Sequence, residues 1–156
     1  HPKIFLKAPF ESGSGTMRVK VEVNTFERSP ARPLVHARHT VSSQWFNGDA
    51  EVQTFDLAEL VATKIRALFQ RSKGRDLFDL WLAITRLGVT PGDLVACFGP
   101  YRPDGYTARR AELNLREKLG NDDFRDDLID LVGTWPEGYD IDEAGELIVD
   151  EVLPLL

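Results

Sequence analysis

The stretch KIRALFQRSKGRDLFDLW at residues 64–81 joins two helical patterns and is the most informative part of this chain. Between Leu60 and Arg75 there are five basic residues and no acidic one, and the carboxylates Asp76 and Asp79 then open the second helical pattern. Charged side chains this close to core-facing positions lose hydration, and the cost is large unless ion-pair or hydrogen-bond partners offset it. The stretch therefore indicates either a phosphate-binding site or a set of structural ion pairs.

The first pattern predicts an amphipathic helix that ends at about Arg71. Asp56 is a favourable N-cap, and Glu59 three residues later completes a pattern like a capping box. Lys64 falls within the apolar face, between leucines four residues away on either side, and Arg71 lies at the edge of that face. A lysine in this place either pairs with an anion near the surface or projects into a cleft that binds phosphate.

The second pattern predicts a helix from about Arg75 to Leu87, closed by Gly88. Its apolar residues cover most of the circumference, so we expect it to be buried on several sides. In the structural interpretation of its charges, Arg75 and Asp79 lie four residues apart and form an ion pair. Asp76, in the first turn, then stabilises the helix through a favourable interaction with its dipole.

Upstream of both helices, residues 3–55 have the pattern of β-structure. Residues 17–24 alternate between valines and polar side chains, which predicts a strand, and residues 3–8 are its expected partner. Glu22 lies in the middle of that strand on the polar face. It either faces water or joins other carboxylates around a divalent metal, since Mg²⁺ prefers oxygen ligands.

A block of strands followed by a block of helices predicts an α+β fold. We expect part of an antiparallel or mixed sheet over residues 1–55 and an α-helical bundle lobe over residues 56–156. Thr90 as N-cap, with Pro91 at the first helical position, predicts a short helix to about Phe98. Further helices are expected near residues 107–119, 122–132 and 142–152.

Composition excludes several classes of function. The net charge is -6, and twelve acidic residues but one basic residue follow from Gly120 onward, so coating of DNA by bulk electrostatics is not expected. The single cysteine, Cys97, lies in an apolar stretch and is expected to be a buried thiol in a reducing, cytoplasmic setting. No apolar run is long enough to span a membrane. His36 and His39 lack further ligands at zinc spacing.

Three motifs in order carry a resemblance to a known family. They are KVEVN at residues 20–24, K-x-x-A-L-x-x-R at residues 64–71, and K-x-R-D-x-x-D-L-W at residues 73–81. Together they resemble the AbiEii/AbiGii toxin family of nucleotidyltransferases, the toxin halves of bacterial toxin–antitoxin and abortive-infection systems, which include the MenT-type toxins. The clear resemblance covers residues 17–88.

This resemblance implies a nucleotidyltransferase-like β lobe, NTP as substrate, Mg²⁺ as cofactor, a tRNA or other RNA as acceptor, and a cognate antitoxin as partner. It implies catalytic roles for Lys64, Asp76 and Asp79. It further implies phosphate contacts from Lys64, Arg71, Lys73 and Arg75, and a metal-ligand role for Glu22.

The sequence departs from the family pattern in one respect. The family's Gly-Ser pair and following Asp-x-Asp strand are not found, since Asp140-Ile141-Asp142 belongs to the acidic helical region. We therefore expect this chain to be the C-terminal part of such a toxin, with no activity or very weak activity alone, because phosphoryl transfer needs metal ions to neutralise the phosphates. The alternative is a non-catalytic helical module, or degenerate copy, that binds an antitoxin-like partner.

Overall fold

The computed structural model describes residues 2–23, 25 and 29–156. Within them the strands come first and the helices follow, so the predicted α+β fold is confirmed. The strands are β1 Lys3–Pro9, β2 Thr16–Glu22, β3 Val35–Ser42 and β4 Asn47–Thr54. The helices are α1 Leu57–Gln70, α2 Gly74–Arg86, α3 Pro91–Phe98, α4 Ala108–Leu119, α5 Asp122–Arg125 and α6 Ile141–Leu147.

The described strands form two separate antiparallel hairpins, β1 with β2 and β3 with β4. Strand β2 is the strand predicted from the alternating valines, although Asn24, its expected last residue, lies outside the described residues. The register sets Ile4 opposite Val21 and Leu6 opposite Val19. Because side chains alternate across a strand, these four apolar residues share one face, and all of them are exposed.

The core lies among the helices. The apolar face of α1 packs against α2 and α3, and α6 packs against α2. The largest side chains with almost no exposed surface include Phe98, Phe124, Leu77, Leu80 and Leu94. Cys97 is also fully buried, and burial raises the pKa of its thiol, as expected for a structural cysteine.

Helices α1 and α3 begin where the sequence predicted. Asp56 accepts a hydrogen bond from the backbone N–H of Ala58, and Thr90 forms a capping box with Asp93. Glu59 has a different partner set from the one predicted. Its carboxylate is fully buried and accepts hydrogen bonds from the segment before β3 and from a tyrosine of the helical core, so it fastens that segment to α1.

Gly74 is the first residue of α2, whereas the sequence placed it in the joint before the helix. A Cβ atom there would lie 2.2 Å from the carbonyl oxygen of Phe124, so the backbones approach more closely than any side chain allows. The helix predicted over residues 122–132 is shorter than expected. It ends at Arg125 and continues as a 3₁₀ turn, Asp126–Leu128.

The change from strand to helix falls between Thr54 and Leu57, at the boundary predicted from the sequence. The division of the chain into a β lobe, residues 1–55, and a helical lobe, residues 56–156, stays a prediction. In the part of the chain that the structure describes, no helix has the length and apolar character needed to cross a bilayer.

Candidate functional site

The packing of α1 against α2 brings Lys64 to both predicted carboxylates. The Lys64 ammonium nitrogen lies 2.6 Å from Asp79 Oδ2 and 3.6 Å from Asp76 Oδ1. About a third of the lysine side chain, 34%, remains exposed. The amine is thus held by two acids of the neighbouring helix and still reaches solvent.

Asp76 is fully buried and is held mainly by Arg71. Arg71 Nε donates to Asp76 Oδ2 and Arg71 Nη2 donates to Asp76 Oδ1, each at 2.6 Å. This two-pronged contact is the geometry in which a guanidinium compensates a buried carboxylate best. The hydrogen bonds from Arg71 to Asp76 raise the pKa of the guanidinium, which stays charged throughout the physiological range.

An open pocket lies beside this pair, along the C-terminal half of α1. It has a volume of ≈ 290 Å³. We call it the polar pocket, and its lining residues are Thr63, Lys64, Arg66, Ala67, Gln70 and Arg71. Three of these six side chains are basic and none is acidic. Asp76 and Asp79 offset two of the three positive charges, so the pocket and these two acids together keep one net positive charge, which favours an anion.

Lys73 and Arg75, the other two predicted phosphate residues, face a different acid. Lys73 Nζ lies 3.0 Å from Asp127 Oδ1, and the backbone N–H and the Nε of Arg75 lie 3.2 Å and 3.7 Å from Asp127 Oδ2. Burial raises the pKa of Asp127, but these contacts outweigh it and the net shift is downward. Asp79 pairs with Lys64, and not with Arg75 as the structural interpretation of the sequence predicted. The roles of Lys73 and Arg75 toward phosphate stay predictions.

Glu22 lies between two lysines at the end of β2. Its carboxylate is 2.9 Å from Lys20 Nζ and 3.4 Å from Lys3 Nζ, and the hydrogen bonds from Lys20 and then Lys3 lower its pKa. Over residues 2–23, 25 and 29–156 there is no group of three histidine, cysteine or acidic side chains that could hold a metal. One carboxylate between two ammonium groups does not fit a Mg²⁺ site, and the ligand role of Glu22 stays a prediction.

Lys118 is a residue of this region that the sequence analysis missed. It comes from the last turn of α4, and its ammonium group donates to the backbone carbonyls of Leu68, Phe69 and Arg71. It therefore caps the C-terminal end of α1, where a cation is favoured by the helix dipole. Burial lowers the pKa of Lys118. A basic residue in the last turn of α4 was visible in the sequence, but nothing there indicated that it would cap another helix.

Comparisons with known proteins place the chain in a family. The profile of the nucleotidyl transferase AbiEii toxin family, assigned to type IV toxin–antitoxin systems, matches residues 1–146 of the 156. No curated protein and no solved structure matches the chain. The match extends the resemblance seen over residues 17–88 to both the hairpins and the later helices, and a toxin of such a system has an antitoxin as its counterpart. The chain therefore belongs to the nucleotidyl transferase AbiEii toxin family of type IV toxin–antitoxin systems.

Proposed function

We propose that this chain contributes the phosphate-binding helices of a nucleotidyltransferase that transfers a nucleotide from an NTP to a tRNA-like RNA acceptor. The observation that carries the proposal is the position of Lys64. Its ammonium group lies 2.6 Å from Asp79 and borders the polar pocket, whose other charged side chains are Arg66 and Arg71.

The ion pairs around Lys64 leave hydrogen-bond donors for a ligand. A lysine ammonium has three N–H groups, and two carboxylates lie within reach of this one. The Arg71 guanidinium has five N–H groups, uses two of them on Asp76, and its side chain is 51% exposed. The remaining donors are held in place before a triphosphate arrives, and catalysis of phosphoryl transfer depends mainly on such positioning and charge.

Asp76 and Asp79 have different roles in this proposal because they differ in burial. Asp76 has no exposed surface, so it positions Arg71 and Lys64. Asp79 has 37% of its side chain exposed, and it is the acid that can accept a proton from an acceptor hydroxyl near Lys64.

Mg²⁺ belongs to the proposal through the family resemblance. When bound, it would neutralise charge on the reacting phosphates. The described residues do not form a complete site for it, so the proposed roles of Lys64, Arg71, Asp76 and Asp79 are derived without the metal.

The test is calorimetric titration of the chain with tripolyphosphate and with each NTP, with and without Mg²⁺. We expect binding to the wild-type chain and a loss of about tenfold or more in affinity in Lys64→Ala, since a charge-assisted contact to phosphate is lost. Arg109→Ala, which removes an exposed cation from α4, is the matched control and should bind normally. Unchanged affinity in Lys64→Ala would contradict the proposal. So would a Lys64→Ala chain that fails to fold, because Lys64 would then be a structural cation.

A second candidate function is a non-catalytic module that binds a basic, antitoxin-like partner. It is favoured by three exposed apolar side chains, those of Ile129, Leu131 and Trp135, on a segment that also carries Asp126 and Asp130. A charged surface with apolar anchors suits a partner of opposite charge. This candidate predicts salt-sensitive binding of the purified antitoxin that Trp135→Ala abolishes. Binding that ignores both salt and this substitution would count against it.

A further inference from the structure

We infer that the nucleoside end of the NTP occupies an apolar groove between α1 and α2, next to the polar pocket. The inference rests on the proposed function and adds to it the place of the base and sugar. The apolar groove has a volume of ≈ 290 Å³, and its apolar lining consists of Leu57, Leu60, Val61, Leu82, Ala83 and Leu87. Its polar lining consists of Thr63, Lys64 and Asp79.

Three leucines of the groove are exposed to water. Leu57 is 42% exposed, Leu60 is 39% exposed, and Leu87, just beyond the end of α2, is 52% exposed. A contiguous apolar surface of this kind is typical of a ligand-binding groove or an interaction site. The volume is close to the lower end of ligand pockets, roughly 300–1,000 Å³. It therefore suits a base with its sugar.

The continuity of the apolar groove with the polar pocket indicates which ligand binds in the groove. Thr63 and Lys64 line both of them, so the apolar groove and the polar pocket form one surface along α1. The chemistry of that surface changes from leucines near Leu57 to guanidinium groups near Arg71. A nucleoside triphosphate changes in the same order, from a weakly polar base to an anionic triphosphate.

The length of α1 allows one nucleotide to contact both pockets. The helix has 14 residues. At a rise of ~1.5 Å per residue it is ~21 Å long. With its phosphates beside Lys64, Arg66 and Arg71, a nucleotide would place its base against the leucines of the preceding turns.

The groove offers little hydrogen bonding to tell one base from another. The Thr63 hydroxyl donates to the carbonyl of Leu60 at 2.6 Å, and the Asp79 carboxylate is engaged by Lys64. Discrimination by a surface of this kind depends on apolar area rather than on a donor and acceptor pattern. We therefore expect purine NTPs to bind a few times more tightly than pyrimidine NTPs, with no base excluded.

The test compares ATP with tripolyphosphate in calorimetric titrations of the wild-type chain and of Leu60→Ser. We expect ATP to bind the wild type about tenfold more tightly than tripolyphosphate, and Leu60→Ser to lower ATP affinity about fivefold to tenfold. Tripolyphosphate affinity should not change. Leu113→Ser, at a leucine of α4 that is 60% exposed, is the matched control. Leu87→Ser repeats the test at a second exposed position, in case Leu60→Ser disturbs folding.

The outcomes separate this inference from the proposed function. Equal affinities of ATP and tripolyphosphate for the wild-type chain would overturn the groove and leave the phosphate site intact. Unchanged ATP affinity in both Leu60→Ser and Leu87→Ser would do the same. If neither ATP nor tripolyphosphate binds the wild-type chain, the proposed function fails, and the groove fails with it.

Discussion

Replacing Asp76 with asparagine keeps the size of the side chain but removes the charge that holds α1 to the start of α2. The carboxylate has no exposed surface, and it accepts two hydrogen bonds of 2.6 Å from Arg71 with Lys64 Nζ at 3.6 Å. Removing one partner of a buried ion pair costs about 3–5 kcal/mol. Arg71 and Lys64 are 51% and 34% exposed, so water rehydrates part of their charge. We therefore expect Asp76→Asn to lower the free energy of unfolding by about 2–3 kcal/mol.

Urea unfolding followed by circular dichroism measures this loss, and a thermal scan should show a Tm lower by about 4–12 °C. Asp79→Asn is the matched control, since it makes the same chemical change one turn later and removes a contact to the same lysine. Its side chain is 37% exposed, so the expected loss is at most about 1 kcal/mol. Equal losses in the two variants, or no loss in Asp76→Asn, would refute the argument from burial.

Two further predictions concern stability. Gly74→Ala should lower the free energy of unfolding in urea by about 2 kcal/mol or more, because the new Cβ would lie 2.2 Å from the Phe124 carbonyl oxygen. Gly92→Ala is the control and should not lower it, since the nearest atom to its new Cβ would be 3.8 Å away. Equal losses in the two variants would contradict the close approach at Gly74. Burial raises the pKa of Glu59, but its hydrogen bonds outweigh this and the net shift is downward, so its contribution is present at neutral pH and disappears as the pH falls below the ordinary value of 4.5. Glu59→Gln should therefore flatten the fall of unfolding free energy in acid, whereas the exposed Glu117→Gln should not; an unaltered acid slope in Glu59→Gln would disprove this.

Local sequence patterns predicted much of the helical lobe. Asp56 and Thr90 cap the helices that they were expected to begin, since an N-cap depends on side chains and N–H groups within a few residues of each other. The same periodicity placed Lys64 among core-facing leucines and Asp76 at the start of the next helix. That pattern indicated that the lysine needed an anionic partner or a phosphate-binding cleft. In the structure Lys64 pairs with Asp76 and Asp79 and borders an open pocket, and phosphate binding there stays a prediction.

Glu59 shows where a local pattern is not enough. Its spacing from Asp56 predicted a capping box. In the structure, its carboxylate instead accepts from the backbone of Ala31, 28 residues earlier, and from the hydroxyl of Tyr101, 42 residues later. A buried carboxylate needs several donors, and the donors that reach it depend on how the chain packs.

Local patterns in the sequence indicate the α+β order of the elements, the main helix starts and the set of charges around residues 64–79. Which of these charges pair with each other depends on how the helices pack. Lys73 meets Asp127 across 54 residues, and Lys118 reaches the carbonyl of Leu68 across 50. The reason is separation along the chain, because caps and periodicity act within a turn or two of one helix whereas these contacts join distant segments. The partner of a side chain that points away from its own helix depends on which other helix packs there.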